Sequence, residues 1–336
     1  MRAAPPSTTR RPESIADARP ATGAQPRIGA SVDLGANSVH LLVAVVGDHR
    51  LEPLDDESVF LGLGSAVAGR GYLGRAARAE LTASLVRYAD IARMLGATDA
   101  TFLGTEPIRR AADASRIVHD ITTATGAQVH VLSHEEEAFL TIIGVTDGRP
   151  VTQQTLVIDV GGGSSEFCVV DTSGRPRAVG MRLGSARLTD AFVQHDPATA
   201  SELEAMRRAA KQAVGAAPEA TPGEIVAVGG TASNLIKMLP AAILDGMLTR
   251  DRIAEVQAIL GSEPAALAAE RHLINPLRAR ILPAGGAIME AILERYGAGS
   301  MRVVETGIRE GAILAVVHGG RAWRDRLADL AHGWRT

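Results

Sequence analysis

The sequence is poor in features that mark several classes of protein. Cys168 is the only cysteine among 336 residues, which excludes an internal disulfide and is typical of the reducing cytoplasm. Only two lysines occur and the formal net charge is −3, so the basic surface of a nucleic-acid or anionic-membrane binder is not expected. No apolar run approaches the roughly 18 residues that span a bilayer. We therefore expect a cytoplasmic protein without nucleic-acid or membrane partners.

The length and the order of predicted elements indicate two lobes. The first 27 residues are rich in proline, alanine, arginine and threonine and lack the apolar core of a signal peptide, so a disordered tail is predicted there. Strand and helix patterns follow, and they restart at Thr155. We predict α/β lobes with mixed sheets flanked by helices over residues 28–140 and 141–320, and a helical C-terminal extension over residues 321–336.

Local patterns predict individual helices within these lobes. Five apolar residues recur at helical spacing on one face, and Gly96 is placed to end their helix. They are Leu81, Leu85, Tyr88, Ile91 and Leu95. A later helix is expected to begin near Ala284.

Two glycine turns 126 positions apart have nearly identical surroundings. Asp33 begins the first (Asp-Leu-Gly-Ala-Asn-Ser) and Asp159 begins the second (Asp-Val-Gly-Gly-Gly-Ser-Ser-Glu), with an apolar run before and after each. A strand, an acidic residue, a glycine turn and another strand can present backbone N–H groups and a carboxylate to a phosphate and its metal ion. A dinucleotide-binding turn is excluded, because it needs a helix after the glycines. A simple tight turn remains the alternative for either motif alone.

The polar residues of the turns indicate their roles. The hydroxyl groups of Ser164 and Ser165 could hold oxyanions, and Asp33 and Asp159 suit Mg²⁺, which favours a few carboxylates plus substrate oxygens. A third turn, Gly-Gly-Thr at residues 229–231, follows a strand and precedes a helix. It is either an ordinary connection or a further phosphate contact.

An acidic run at residues 135–137 permits two interpretations. It is a solvated helix start, or one of its carboxylates meets Glu166 in a cleft between the lobes. A glutamate with a raised pKa can position or deprotonate water. Arg109 or Arg110 could supply the positive charge that phosphoryl transfer requires, unless both are surface residues at a helix start.

Together these motifs resemble the exopolyphosphatase/guanosine pentaphosphate phosphohydrolase (Ppx/GppA) family, part of the superfamily of actin, sugar kinases and heat-shock chaperone ATPases. The resemblance extends from about Ile28 to Gly320. The segments that carry it are residues 33–41, 105–111, 133–138, 159–166, 229–231, 283–286 and 307–311.

The resemblance implies two actin-like (ribonuclease H-like) lobes with the active site in the cleft between them, and a homodimer. It implies hydrolysis of a terminal phosphoanhydride with Mg²⁺, or Mn²⁺ as an alternative. Inorganic polyphosphate is the favoured substrate, and short chains are expected because the chain ends at Thr336. The alternatives are a guanosine pentaphosphate phosphohydrolase, a sensor that binds polyphosphate or guanosine alarmones without turnover, and a kinase of the same superfamily.

The resemblance also implies residue roles. Glu137 would orient or deprotonate the attacking water, Arg109 would contact the phosphate, and Glu166 would hold water and metal. Asp33 and Asp159 complete the expected metal ligands. The expected phosphate contacts are Asn37, Ser38, Gly161, Gly162, Gly163, Ser164, Gly229, Gly230 and Thr231.

Three positions depart from the family pattern. His134 stands where glycine usually follows the serine of the catalytic segment, and a bulkier residue is expected to reshape the turn that aims Glu137. Residues 58–64 lack the usual arginine and acidic residue, which bears on substrate positioning. Arg280 stands where aspartate is common.

Overall fold

The first sheet is mixed and has five strands in the order β3–β2–β1–β4–β5. The computed structural model describes residues 27–47, 51–98, 100–172 and 175–334, so the predicted N-terminal tail, apart from Arg27, lies outside the described residues. The strands are β1 (Arg27–Leu34), β2 (Ser38–Val46), β3 (Leu51–Phe60), β4 (Ala100–Gly104) and β5 (Val129–Val131). β1 pairs antiparallel with β2 and parallel with β4, which places Asp33 near the end of a central strand.

The edge strand β3 is absent from the elements that the sequence predicts. It pairs with β2 alone, and all ten of its residues are exposed or only partly buried. Acidic residues and Pro53 give it the composition of an exposed edge, which carries little of the apolar alternation that identifies a strand.

Four helices accompany the first sheet: α1 (Leu63–Arg70), α2 (Arg75–Met94), α3 (Glu106–Arg110) and α4 (Ala114–Thr125). The predicted apolar face of α2 is confirmed. Leu81, Leu85 and Tyr88 are almost fully buried in the core of this sheet, and the other two residues of the face are partly buried there. Gly96 follows the helix with φ of 92°, the left-handed conformation that commonly ends helices.

The second sheet repeats the arrangement of the first. Its order is β10–β11–β9–β6–β7–β8. Its strands are β6 (Thr155–Val160), β7 (Ser165–Val170), β8 (Arg177–Met181), β9 (Glu224–Val228), β10 (Met247–Thr249) and β11 (Ser300–Val303). β6 has an antiparallel pair of strands on one side and parallel strands on the other, as β1 has. Asp159 therefore holds in β6 the place that Asp33 holds in β1.

Ten more α-helices and two short 3₁₀ helices, Gly320–Ala322 and Arg324–Arg326, complete the described fold. The α-helices are α5 (His134–Thr146), α6 (Ser185–Phe192), α7 (Ala200–Val214), α8 (Gly229–Lys237), α9 (Pro240–Asp245), α10 (Arg250–Ser262), α11 (Ala265–His272), α12 (Pro276–Arg295), α13 (Ile308–Gly319) and α14 (Leu327–His332). Among the described helices, none combines the length and hydrophobicity that a transmembrane span requires.

The expected start of a helix near Ala284 is wrong, because α12 begins already at Pro276. The side chain of Asn275 caps it, with Oδ1 accepting from the Leu277 N–H at 2.8 Å. Pro283 lies inside the helix, where nearly every neighbouring side chain is buried. Tertiary packing therefore offsets the hydrogen bond that proline removes.

Helices α5 and α13 pack against each other between the two sheets. α5 lies on β7 and β8, whereas α13 lies on β1 and β2. Their approach is close, since a Cβ on Gly311 would lie 1.7 Å from the Leu140 carbonyl oxygen. Residue 140, the expected end of the first lobe, lies within α5, and the lobe boundaries stay predictions.

Candidate active site

The first two glycine turns lie against each other. In each turn the first glycine donates its N–H to the carbonyl oxygen of the serine three residues later, at 3.1 Å and 3.0 Å. A Cβ on Gly162 would lie 2.7 Å from Asn37 Nδ2, so a side chain there would push the turns apart. The hairpins of the two sheets thus face one another.

Asp33 and Asp159 lie at the ends of the strands that lead into these turns. Burial raises the pKa of Asp33 to about 7, the charge of Asp159 adds to this effect, and Arg309 opposes it. Burial raises the pKa of Asp159 to about 6. Oδ1 of Asp33 is enclosed and has no hydrogen-bond partner among the described residues. Arg309 thus offsets only part of the effect of burial on Asp33.

The third turn closes over one of these carboxylates. Gly229 has φ of 80°, and a Cβ there would lie 2.3 Å from Oδ1 of Asp159. Thr231 is buried below the turn, where its hydroxyl lies 3.4 Å from Ser185 Oγ. Gly229 therefore lines the acidic pair, whereas Thr231 contacts Ser185 of α6 and packs against Gly285 of α12.

The three glutamates at the start of α5 have different surroundings. Glu135 is exposed. Glu136 forms a capping box with Ser133, whose Oγ accepts from the Glu136 N–H at 3.1 Å and whose N–H donates to Glu136 Oε2 at 2.8 Å. Glu137 is buried and pairs with Arg109. Both interpretations of the run thus apply, each to different members.

Arg109 connects the groups around Glu137. Its Nη1 donates to Glu137 Oε1 and, at 2.6 Å, to the carbonyl oxygen of Leu132. Its Nη2 lies 3.0 Å from His134 Nδ1, which in turn lies 2.8 Å from Glu166 Oε1. A protonated Nδ1 donates to Glu166, whereas an unprotonated Nδ1 accepts from Arg109. Three predicted residues, Arg109, Glu137 and Glu166, are thereby joined, with His134 between them.

Glu137 and Glu166 are two buried carboxyls that repel each other. The pKa of Glu137 is well above its ordinary value because of burial and the charge of Glu166, with Arg109 opposing. Burial and the charge of Asp159 raise the pKa of Glu166 to about 8, while a hydrogen bond to Ser164 and the charge of Arg109 lower it. A proton or a cation must therefore accompany this cluster.

A family model for Ppx/GppA phosphatases matches residues 42–319, more than half of the chain. The chain belongs to the Ppx/GppA phosphatase family. The family and the actin-like fold class predicted from the sequence are thus confirmed. The crystal structure of a Ppx/GppA family member from Aquifex aeolicus is 23% identical, with a TM-score of 0.77, and the match covers 88% of this chain and 99% of that one.

Two curated relatives in this family carry different names. Exopolyphosphatase 1 of Mycobacterium tuberculosis is 25% identical over 302 residues, covering 84% of this chain and 86% of that protein. Guanosine-5′-triphosphate,3′-diphosphate pyrophosphatase of Vibrio parahaemolyticus is 25% identical over 294 residues, covering 86% of this chain but only 59% of that protein. Both names denote phosphoanhydride hydrolases, and the predicted enzyme class is confirmed.

A divalent metal ion has candidate ligands in this Ppx/GppA site. His134, Glu137 and Glu166 each bring one ligand atom within 4.8 Å of the others. The sequence predicts a different set, in which Asp33 and Asp159 join Glu166. Glu166 is the residue that both sets share.

Arg278 is a site residue that the sequence did not indicate. This partly buried arginine of α12 donates from Nη2 to Ser38 Oγ at 3.0 Å. A Cβ on Gly230 would lie 2.2 Å from its Nη1, so the guanidinium lies between the first and third turns. The family pattern in this segment drew attention to Arg280, and the separation of 240 positions between Arg278 and Ser38 hides their contact.

The other departures from the family pattern have clear locations. Residues 58–64 support the first turn, because the N–H groups of Leu61 and Gly62 donate to the Asn37 carbonyl oxygen at 3.0 and 2.9 Å. Arg280 instead points to the loop before α7, where it donates to the His195 carbonyl oxygen. The first departure thus lies beside the site and the second contacts a different part of the surface.

Proposed function

We propose that the chain is a Mg²⁺-dependent exopolyphosphatase that removes the terminal phosphate from inorganic polyphosphate. The observation that carries the proposal is the ion pair of the partly exposed Arg109 with the buried Glu137, beside Glu166 and next to the place where the glycine turns meet. It supplies a carboxylate base and a fixed positive charge, which phosphoryl transfer to water uses besides a metal ion. The Mycobacterium relative named for this activity matches most of the length of both chains.

Asp33, Asp159 and Glu166 are the proposed Mg²⁺ ligands. Carboxylates are the side chains that Mg²⁺ prefers, and the enclosed Oδ1 of Asp33 lacks any described partner. The alternative group is less suitable, because the guanidinium of Arg109 contacts both His134 and Glu137 and would repel a cation. Bound at the three carboxylates, Mg²⁺ would neutralise charge on the phosphate oxygens; Mn²⁺ could replace it.

Each side chain then has its own part in the proposed reaction. The terminal phosphate is held by Arg109 and by the proposed contacts Asn37, Ser38, Gly161, Gly162, Gly163, Ser164, Gly229, Gly230 and Thr231. Glu137 orients a water molecule and takes its proton as the water oxygen attacks phosphorus. The bond to the bridging oxygen breaks, its electrons stay with the shortened polyphosphate, and orthophosphate is released. Arg109 stabilises charge on the transferred phosphoryl group.

A guanosine pentaphosphate phosphohydrolase is the second candidate, because the Vibrio relative is as similar in identity as the mycobacterial one. Its reaction breaks the same kind of bond, so the catalytic residues would be unchanged. The short-chain preference and the homodimer also stay predictions.

Phosphate release from tripolyphosphate, long-chain polyphosphate and guanosine pentaphosphate, each with Mg²⁺ and with chelator, tests the proposal. Glu137→Gln should abolish release and keep binding, whereas Glu135→Gln, an exposed glutamate of the same turn, should behave like the wild type. Release from guanosine pentaphosphate alone would favour the second candidate. Tight binding with no release from any substrate would indicate a sensor, and an active Glu137→Gln would refute the base.

A further inference from the structure

Glu106 is a buried carboxylate beside the phosphate turn with no role in the mechanism above. It is the first residue of α3 and only 4% exposed. A Cβ on Gly163 would lie 2.6 Å from its Oε2, so the carboxylate lies directly against the second turn. Oε2 is enclosed and has no hydrogen-bond partner among the described residues.

The other oxygen of Glu106 accepts hydrogen bonds from two arginines, whose combined charge exceeds that of the carboxylate. Oε1 accepts from Arg110 Nη1 at 2.6 Å and from Arg187 Nη2 at 2.9 Å. Arg187 comes from α6, and its Nε also donates to the Gly163 carbonyl oxygen at 2.9 Å. Each arginine side chain is more than a quarter exposed, so both guanidinium groups are accessible to solvent.

This cluster adjoins the proposed site of hydrolysis. Glu106 lies on the same short helix α3 as Arg109, three residues before it, and its Oε2 lies against Gly163 of the second turn. Glu106 is therefore close to the residues that surround the proposed reacting phosphate. Two guanidinium groups surround one carboxylate, of which only one oxygen accepts hydrogen bonds. A phosphate group has more acceptor oxygens and would form more hydrogen bonds with the same two arginines.

We propose that Arg110 and Arg187 form a second anion subsite, for a phosphate group of the substrate other than the one removed, and that Glu106 occupies it in the free protein as an internal competitor. The proposal rests on the proposed function, since it concerns the same substrate chain. A polyphosphate chain must displace the carboxylate, so Glu106 weakens binding and the two arginines strengthen it.

Calorimetric titration with tripolyphosphate and Mg²⁺ in the Glu137→Gln background tests this subsite by binding alone. Adding Glu106→Gln should tighten binding about tenfold, because the arginines lose a charged competitor. Adding Arg187→Gln as well should remove that gain. Glu135→Gln removes the same charge from an exposed position of α5 and should leave affinity unchanged.

Unchanged or weaker binding by the Glu106→Gln variant would overturn the proposal. Arg110→Gln and Arg187→Gln with Glu106 intact provide a second readout should that variant misfold, since each should weaken tripolyphosphate binding several-fold. Normal affinity in both would also overturn it. These titrations measure binding and require no turnover. Failure of the proposed function would instead be seen as absence of phosphate release by the wild type.

Discussion

Replacing Asp33 with asparagine should stabilise the metal-free protein at alkaline pH. The pKa of this carboxyl is about 7 in the folded protein, against an ordinary 3.8, mainly because of burial. Between these values the folded protein keeps a proton that the unfolded chain has released. The free energy of unfolding therefore falls as the pH rises from about 4 to about 7, and asparagine removes this loss.

The size of the effect follows from the pKa difference. A difference of about three corresponds to about 4 kcal/mol at a pH above both values. Because Asp33 as a residue keeps some exposure to solvent, screening reduces the expected gain to about 2 kcal/mol. For a chain of 336 residues that gain raises Tm by about 3 °C.

Thermal unfolding of the wild type and of Asp33→Asn, with chelator at about pH 4 and about pH 8, measures this difference. The variant should exceed the wild type at the higher pH only, and Mg²⁺ should raise the Tm of the wild type more than that of the variant. Asp325→Asn, at an exposed carboxylate, is the matched control and should change neither value. Equal Tm values at the higher pH together with equal gains from Mg²⁺ would refute the reasoning.

Three further substitutions test the contacts around the turns. Arg109→Ala should raise KM and lower kcat, reducing kcat/KM for polyphosphate at least about 100-fold, because it removes charge-assisted hydrogen bonds to the base and to the phosphoryl group; unchanged kinetics would contradict that role. Gly162→Ala should lower phosphate release more than tenfold, since the new Cβ would displace Asn37, and wild-type rates would show that the turns can separate without harm. Arg278→Ala should raise KM about tenfold through loss of its contact near the first turn, whereas Arg280→Ala on the same helix should leave KM unchanged, and equal effects of the two would contradict a specific role for Arg278.

The parts of the site that lie on a hairpin could be predicted from sequence. Asp33 and Asp159 each follow an apolar strand and precede glycines, so strand, acid and turn are encoded by consecutive residues. The repeat of this pattern also predicts that the two sheets share one arrangement, as they do. Local order along the chain was sufficient here because each motif is complete within about ten residues.

Contacts between distant elements could not be predicted in this way. Arg278 meets Ser38 across 240 positions, and Arg187 meets Glu106 across 81 positions. Each of these arginines lies on a helix. The hydrophobic pattern of that helix would be the same if the arginine faced solvent. Their roles arise only when the two sheets are placed together, and periodicity carries no information about that placement.

The three consecutive glutamates have different roles, although composition alone does not distinguish them. A local sequence rule identifies the role of one. Successive helical residues are about 100° apart, so Glu135, Glu136 and Glu137 face three directions and only one can point fully into the cleft. A serine followed three residues later by glutamate is a capping box, a local pattern that by itself assigns Glu136 to the helix start. Arg324 then pairs with Glu136 from outside the cleft. Packing distinguishes Glu135 from Glu137. Position 137 lies on the buried side of α5, where Arg109 pairs with Glu137.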